Sequence, residues 1–235
     1  WSSDVCSSDL ATTGSSHTLD STTGAGFSLI AGATVPATAP NVLETTSLLG
    51  EIEDPISPGS GTPLFTAGQT IRVDGVEKGT QILGAAGFLV DAASTVQDFM
   101  DFLTDTFGLR TDIGTNADGG QPGIALDPLT GTIDITGNAG ETNNITMTGE
   151  DIRVFNADGT LASQPFLVNQ SAEASGEAIK TAFSVYDSLG TPLRVDISMV
   201  LEGKSNTGTT WRYYAESPDD TLGGPSIGTG TIEFD

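Results

Sequence analysis

Positive charge is scarce in this 235-residue sequence: 8 lysines and arginines stand against 31 aspartates and glutamates, a net charge of −23. So acidic a surface repels phosphate backbones and anionic headgroups, which argues against nucleic acid and membrane partners. Cysteine is nearly absent. The single one, Cys6, sits in the opening stretch WSSDVCSSDL, whose doubled Ser-Ser-Asp and missing apolar period mark residues 1–10 as a non-native leader. Without that leader no thiol remains for a disulfide framework, a nucleophile or a metal site. Histidine is represented by His17 alone, which excludes paired imidazole ligation, and its Ser/Thr-rich surroundings predict an ordinary exposed loop residue. No apolar run approaches the roughly 18 residues of a bilayer span. No basic-then-apolar leader or initiating methionine opens the chain, which leads us to expect a cytosolic protein, one exported without a cleaved leader, or an incomplete chain.

Apolar residues make up 37% of the sequence, and glycine is plentiful at 30 residues. That balance predicts a mainly β protein with many turns. Residues 11–61, rich in Ser, Thr, Gly and Pro, read as a connector in which Phe27-Ser28-Leu29-Ile30 could add an edge strand. Residues 62–150 read as a small α+β module. There Thr70-Ile71-Arg72-Val73-Asp74 alternates as a half-buried strand, Asp74-Gly75 turns the chain, and Phe88-Leu89-Val90 supplies a partner. One amphipathic helix is predicted at about 94–107, where Val96, Phe99, Met100, Leu103 and Phe107 form a stripe at three- and four-residue steps. Ser94 and Gln97 fit a capping box at its start, and Gly108 fits a left-handed stop at its end. Asp98, Asp101 and Asp105 read as a solvated acidic face.

Residues 151–235 read as an antiparallel β domain. Ile152-Arg153-Val154-Phe155 runs into the hairpin turn Asn156-Ala157-Asp158-Gly159. Leu193, Val195, Ile197, Met199 and Leu201 alternate strictly, predicting a strand with one buried and one wet face. Trp211–Ala215 and 230–234 read as two more strands.

Chemistry is harder to find. No Gly-x4-Gly-Lys-Ser/Thr phosphate loop occurs. The loops Asp112–Asp118 and Asp151–Asp158 offer oxygen ligands to calcium, but the first lacks the spacing and terminal glutamate of an EF-hand loop, and turn chemistry accounts for both. Trp211 and Tyr213 fall on one strand face and Tyr214 on the other. Core packing is the favoured reading of this cluster over a sugar platform. The sequence thus nominates no catalytic, cofactor or metal residues, and no cofactor.

The segment Val185-Tyr186-Asp187-Ser188-Leu189-Gly190-Thr191, followed by the strand 193–201, the Trp211 strand and the closing stretch 228–235, resembles the bacterial flagellar hook protein family. The resemblance covers roughly 178–235. More weakly, 68–108 is similar to the small repeat of hook and hook-associated proteins, a strand bearing Ile-x-Val-Asp-Gly before a Ser-Thr-capped helix. Helical terminal segments of the family are missing here, so a fragment from the middle and outer domains is expected. The resemblance implies a structural subunit and not an enzyme. It implies an extracellular flagellar location, export without a cleaved signal, and contacts with other copies in a helical assembly and with neighbouring flagellar axial proteins. The competing expectation is a secreted adhesin or ligand-binding β module, stabilised by calcium.

Overall fold

The structure, a computed structural model, describes residues 12–33, 42–116, 118–219 and 224–235. The expected leader with Cys6 lies outside the described residues, as do Pro36 and Pro40. In chain order the elements are β1 (Gly14–Ser21), β2 (Thr70–Val73), β3 (Glu77–Lys78), β4 (Gln81–Ile82), β5 (Ala86–Leu89), α1 (Val96–Thr106), β6 (Gly123–Asp127), β7 (Thr132–Ala139) and β8 (Ile145–Thr146). There follow β9 (Ile152–Phe155), β10 (Leu161–Ser163), β11 (Phe166–Ala172), β12 (Ala178–Tyr186), β13 (Pro192–Lys204), β14 (Thr209–Glu216) and β15 (Ser226–Phe234). They make four sheets, ordered β11-β1-β7-β6, β10-β9-β2-β5, β4-β3-β8 and β12-β13-β14-β15. Every pairing is antiparallel. The chain is mainly β with a single α-helix among the described residues, the class its composition and alternation predict.

The first three sheets and α1 enclose one core. Phe99 on the helix stacks on Phe166 of β11 at 5.8 Å between ring centres and meets Phe88 of β5 edge-on at 6.0 Å. Phe166 is also covered by Phe27 and Phe65. Such offset and edge contacts add about 0.5–1.5 kcal/mol each beyond area burial.

Two boundaries read from the sequence are corrected here. The connector expectation for 11–61 fails because β1 is an interior strand, with Leu19 between Ile133 of β7 and Val168 of β11. Phe27, Leu29, Leu43, Leu49 and Ile52 all lie in the core. The expected strand at Phe27–Ile30 is reduced to an isolated bridge, Leu29 to Ile52. Residues 151–172 do not open the last domain either. In β9, Ile152 and Val154 pair with Val73 and Ile71, and β11 pairs with β1, so the separate sheet starts at Ala178.

The helix forms where the stripe predicts, one residue out of the expected cap register. Thr95 is the N-cap: its hydroxyl accepts from the Asp98 backbone, and the Asp98 carboxylate accepts from the Thr95 backbone. An ionised acceptor holds a backbone N–H more strongly than the Gln97 amide could. Ser94 serves the preceding turn, its hydroxyl accepting from the Asp91 backbone. At the other end Gly108 takes φ +60°. Its N–H reaches the Asp105 carbonyl and that of Leu109 reaches Thr104, the paired bonds of a Schellman stop.

In the final sheet the turn Asp187–Gly190 is closed by the Asp187 carboxylate, which accepts from the Leu189 and Thr191 backbones. Leu193, Val195, Ile197 and Met199 stand opposite Val185, Phe183, Thr181 and Ile179 on β12. Met199 and Leu201 stand opposite Tyr213 and Trp211 on β14. The other face, not this apolar one, turns toward the first body: Val200, Tyr214, Asp196, Ser198 and Glu216 are buried. Val195 and Leu201 are shielded, yet Ile179, Phe183 and Phe234 are 49%, 46% and 52% exposed. The expectation of a buried apolar face and a wet polar one is thereby inverted over much of the sheet. The reason is polar: Glu216 on the buried face answers the Lys78 ammonium of the first body.

Candidate functional site

The most completely built polar cluster is the joint between the two bodies. Lys78, on two-residue strand β3, is carried inward because Glu77 and Lys78 pair on both sides, with Gln81 and Ile82 and with Ile145 and Thr146. Its ammonium donates to the Phe107 carbonyl at 3.1 Å, the Gly108 carbonyl at 3.3 Å and the Glu216 carboxylate on β14. All three N–H donors are thus used. The two carbonyls belong to the spent C-terminus of α1, where the helix dipole favours a cation. Only 2% of the Lys78 side chain and 10% of the Glu216 side chain are exposed.

Backbone contacts seal the joint. The Asn138 amide donates to the Gly108 carbonyl and accepts from the Arg110 backbone, while the Arg110 guanidinium reaches the Ser226 hydroxyl. A methyl group on Gly140 would lie 2.5 Å from Val200, and one on Gly224 2.1 Å from the Asp105 carbonyl oxygen. Only glycine fits at either place.

Beside the joint, buried Asp196 is held by the exposed Arg194 at 2.9 Å, while its second carboxylate oxygen has no partner among the described residues. Asp196 lies in register with Glu216. Two neighbouring carboxylates could suggest acid–base work. Each is tied to its own cation, and Glu216 does not line the adjoining open groove of about 740 Å³ that Gln81, Lys180, Arg194 and Asp196 border. A separate pair, Arg212 with Glu202, spans β14 and β13.

His17 departs from its expected place. It lies inward on β1, 2% exposed, and neither ring nitrogen has a hydrogen-bond partner among the described residues. Burial holds its pKa below the ordinary imidazole value, against a smaller opposing effect of the Ile145 backbone. Nothing in the Ser/Thr-rich flanks signals this, because the neighbouring inward positions are Ser15, Leu19 and Ser21.

The aromatic cluster is distributed as alternation predicts, though burial falls to the other partner. Tyr214 is the buried member, its phenol pushed up by burial. Trp211 and Tyr213 remain half-buried on the open face, at a rim and not inside the core.

The acidic loops do turn chemistry. Asp112 is forked onto Arg110, and that hydrogen bond holds its carboxyl below the usual range. Asp158 accepts from the Thr160 hydroxyl and backbone, which lower it likewise. Asp151 caps Thr148. Among the described residues no three His, Cys, Asp or Glu side chains gather in a way that could hold a metal ion. No helix among them is long and apolar enough to cross a membrane.

Two short spacings invite a catalytic reading. Gly224-Pro225-Ser226-Ile227-Gly228 has the Gly-x-Ser-x-Gly form of a nucleophile elbow, but Ser226 opens strand β15 where the elbow needs a strand-to-helix turn. Gly203-Lys204-Ser205 closes β13 and leads to β14, without the helix that a phosphate loop feeds.

Compared with known proteins, the chain matches no family model, no curated protein and no solved structure.

Proposed function

We propose that this chain comes from the middle and outer region of a bacterial flagellar hook subunit, a structural protein and not an enzyme. One observation carries the reading: the resemblance over 178–235, in which the Val-Tyr-Asp-Ser-x-Gly turn, the alternating strand, the Trp strand and the Gly-Thr closing strand follow in order. These segments are the successive strands of one four-stranded meander. A hook bends as it rotates, so its subunits call for stiff modules held by a few strong joints. The Lys78–Glu216 link and the glycine-sealed contacts around it suit that demand. The reading places the protein outside the cell in the flagellum, exported without a cleaved signal, in contact with other copies of itself and with adjoining axial proteins.

The test is location. The complete coding sequence, recovered from its genomic surroundings, would be expressed in its own host with an epitope in the turn after Tyr186. Immunogold labelling of the curved segment between basal body and filament is expected. Label spread over the cell surface, or normal hooks in a deletion strain, would reject the assignment.

Trp211 and Tyr213 on the open apolar face favour a second reading, a secreted glycan-binding module. Tryptophan quenching by an oligosaccharide panel, lost in Trp211→Ala, would select it.

A further inference from the structure

We propose that the cavity between the Arg212–Glu202 pair and the first body is a binding site for one neutral sugar ring. It measures about 190 Å³. Glu202, Arg212 and Tyr214 of the last sheet form one wall, and Thr12, Ala139 and the loop 113–116 contribute the other. Two buried hydroxyls mark it. Tyr214 is 2% exposed and Thr12 5%, and neither hydroxyl has a hydrogen-bond partner among the described residues. Neither oxygen is fully occluded, and the cavity is the space that both residues border. A buried hydroxyl without a partner is costly, and an occupant with polar groups of its own removes that cost.

The charged pair is set beside these hydroxyls. The Tyr214 phenol lies within electrostatic reach of both Arg212 and Glu202. Nε and Nη2 of Arg212 are spent on Glu202, leaving Nη1 without a hydrogen bond. Glu202 stands in a β-bulge, between the pairs Leu201–Trp211 and Gly203–Thr210. Bulges re-aim a side chain, and they gather beside active sites.

The walls select the ligand. Arg212 and Glu202 neutralise one another, so no charge is left over to hold an ion, and the net charge of −23 repels anions besides. The guanidinium only donates, the carboxylate only accepts, and the hydroxyls of Tyr214, Thr12 and Thr115 do both. Adjacent hydroxyls on a ligand answer such a mixed set, because each of them also donates and accepts. Ile113 and Ala139 offer apolar surface to the C–H side of a ring. The volume falls below the roughly 300–1,000 Å³ of sites for drug-sized molecules and gives room for about six waters, which suits a single ring. Glu202, whose side chain is 34% exposed, and the exposed Thr115 mark the way in. Trp211 faces the opposite side of the sheet, so this site is separate from the open apolar face.

The inference stands on the cavity and is independent of the hook reading, which the immunogold experiment judges separately. The chain has three tyrosines, so carbon-13 at tyrosine Cζ reports Tyr186, Tyr213 and Tyr214 as separate signals. The whole chain is titrated with D-glucose, D-galactose, D-mannose and N-acetyl-D-glucosamine, and with sodium acetate and methylammonium chloride as charged probes. At least one sugar is expected to move the Tyr214 signal saturably in the millimolar range, and neither ion to do so. Saturation-transfer NMR on that sugar then compares variants. Tyr214→Phe should weaken binding about 5- to 30-fold, Thr115→Val should weaken it less, and Trp211→Ala should leave it unchanged. Because the Tyr214 hydroxyl has no partner to lose, Tyr214→Phe should melt no lower than wild type. A Tyr214 signal that no sugar moves overturns the proposal, as does one that acetate or methylammonium moves as strongly. Unchanged affinity in Tyr214→Phe, or a lowered melting temperature, assigns the hydroxyl another role and overturns it too. Loss of binding in Trp211→Ala with the Tyr213 signal moving instead transfers the site to the open face and refutes it here.

Discussion

Replacing Glu216 with alanine leaves the Lys78 ammonium in a site that is 2% exposed, facing only the carbonyls of Phe107 and Gly108. Dipoles alone do not replace a carboxylate for a cation removed from water, and breaking a buried pair in this way costs about 3–5 kcal/mol. With a urea slope of about 2–3 kcal/mol/M, the transition midpoint should fall by roughly 1–2 M. Lys78→Met should be milder, since Glu216 is closer to water. The double variant Lys78→Met/Glu216→Leu removes both charges together and should recover most of the loss, because an apolar pair of similar volume is often as stable as the ions. Urea titrations of all four proteins, followed by circular dichroism, give the coupling directly, and about 2 kcal/mol or more is expected. Because the pair joins β3, and the end of α1 that Lys78 also holds, to the last sheet, the single variants should also lose exchange protection at β14 before β7. An alanine variant within about 1 kcal/mol of wild type, or a double variant as unstable as the sum of the singles, would refute the account of the joint.

Protonation at His17 should make stability pH-dependent. Its folded pKa lies below the unfolded value of 6.5, so the unfolded chain takes up the proton first. Stability is complete above about pH 6.5 and falls as the pH drops toward the folded value, by up to about 1.4 kcal/mol per pH unit; His17→Leu should flatten that slope in titrations between pH 7 and 5. Gly131 has φ +70°, and an added methyl would sit 2.2 Å from the Phe27 carbonyl oxygen, so Gly131→Ala should destabilise by at least about 1–3 kcal/mol in thermal unfolding. Thr95→Ala removes the helix cap and should cost about 0.5–2 kcal/mol by the same assay.

Where one element carried its own signal, the sequence was readable. The stripe from Val96 to Phe107 needs only its own periodicity, and the 193–201 alternation with its Asp187–Gly190 turn needs only a neighbouring strand. Cap register was ambiguous because Ser94 and Thr95 are both hydroxyl residues followed three positions later by an acceptor. Strand β1 was invisible: its inward residues Ser15, His17 and Ser21 are polar, and its place is set by β7 and β11, more than a hundred residues later. The joint was hidden for a related reason. Lys78 and Glu216 look like ordinary surface charges until the fold brings them together across 138 positions. Alternation located the apolar face of the last sheet but could not say which face meets the first body, since that depends on polar groups elsewhere.

The placement of β1 bears on how the molecule comes into being. Residues 14–21 cannot take their final neighbours until 132–139 and 166–172 exist and have closed very large loops. Chains dominated by such distant pairings fold slowly. The chain must emerge through Ala172 before β1 is locked between its two neighbours, so a nascent copy stays loose over that whole span.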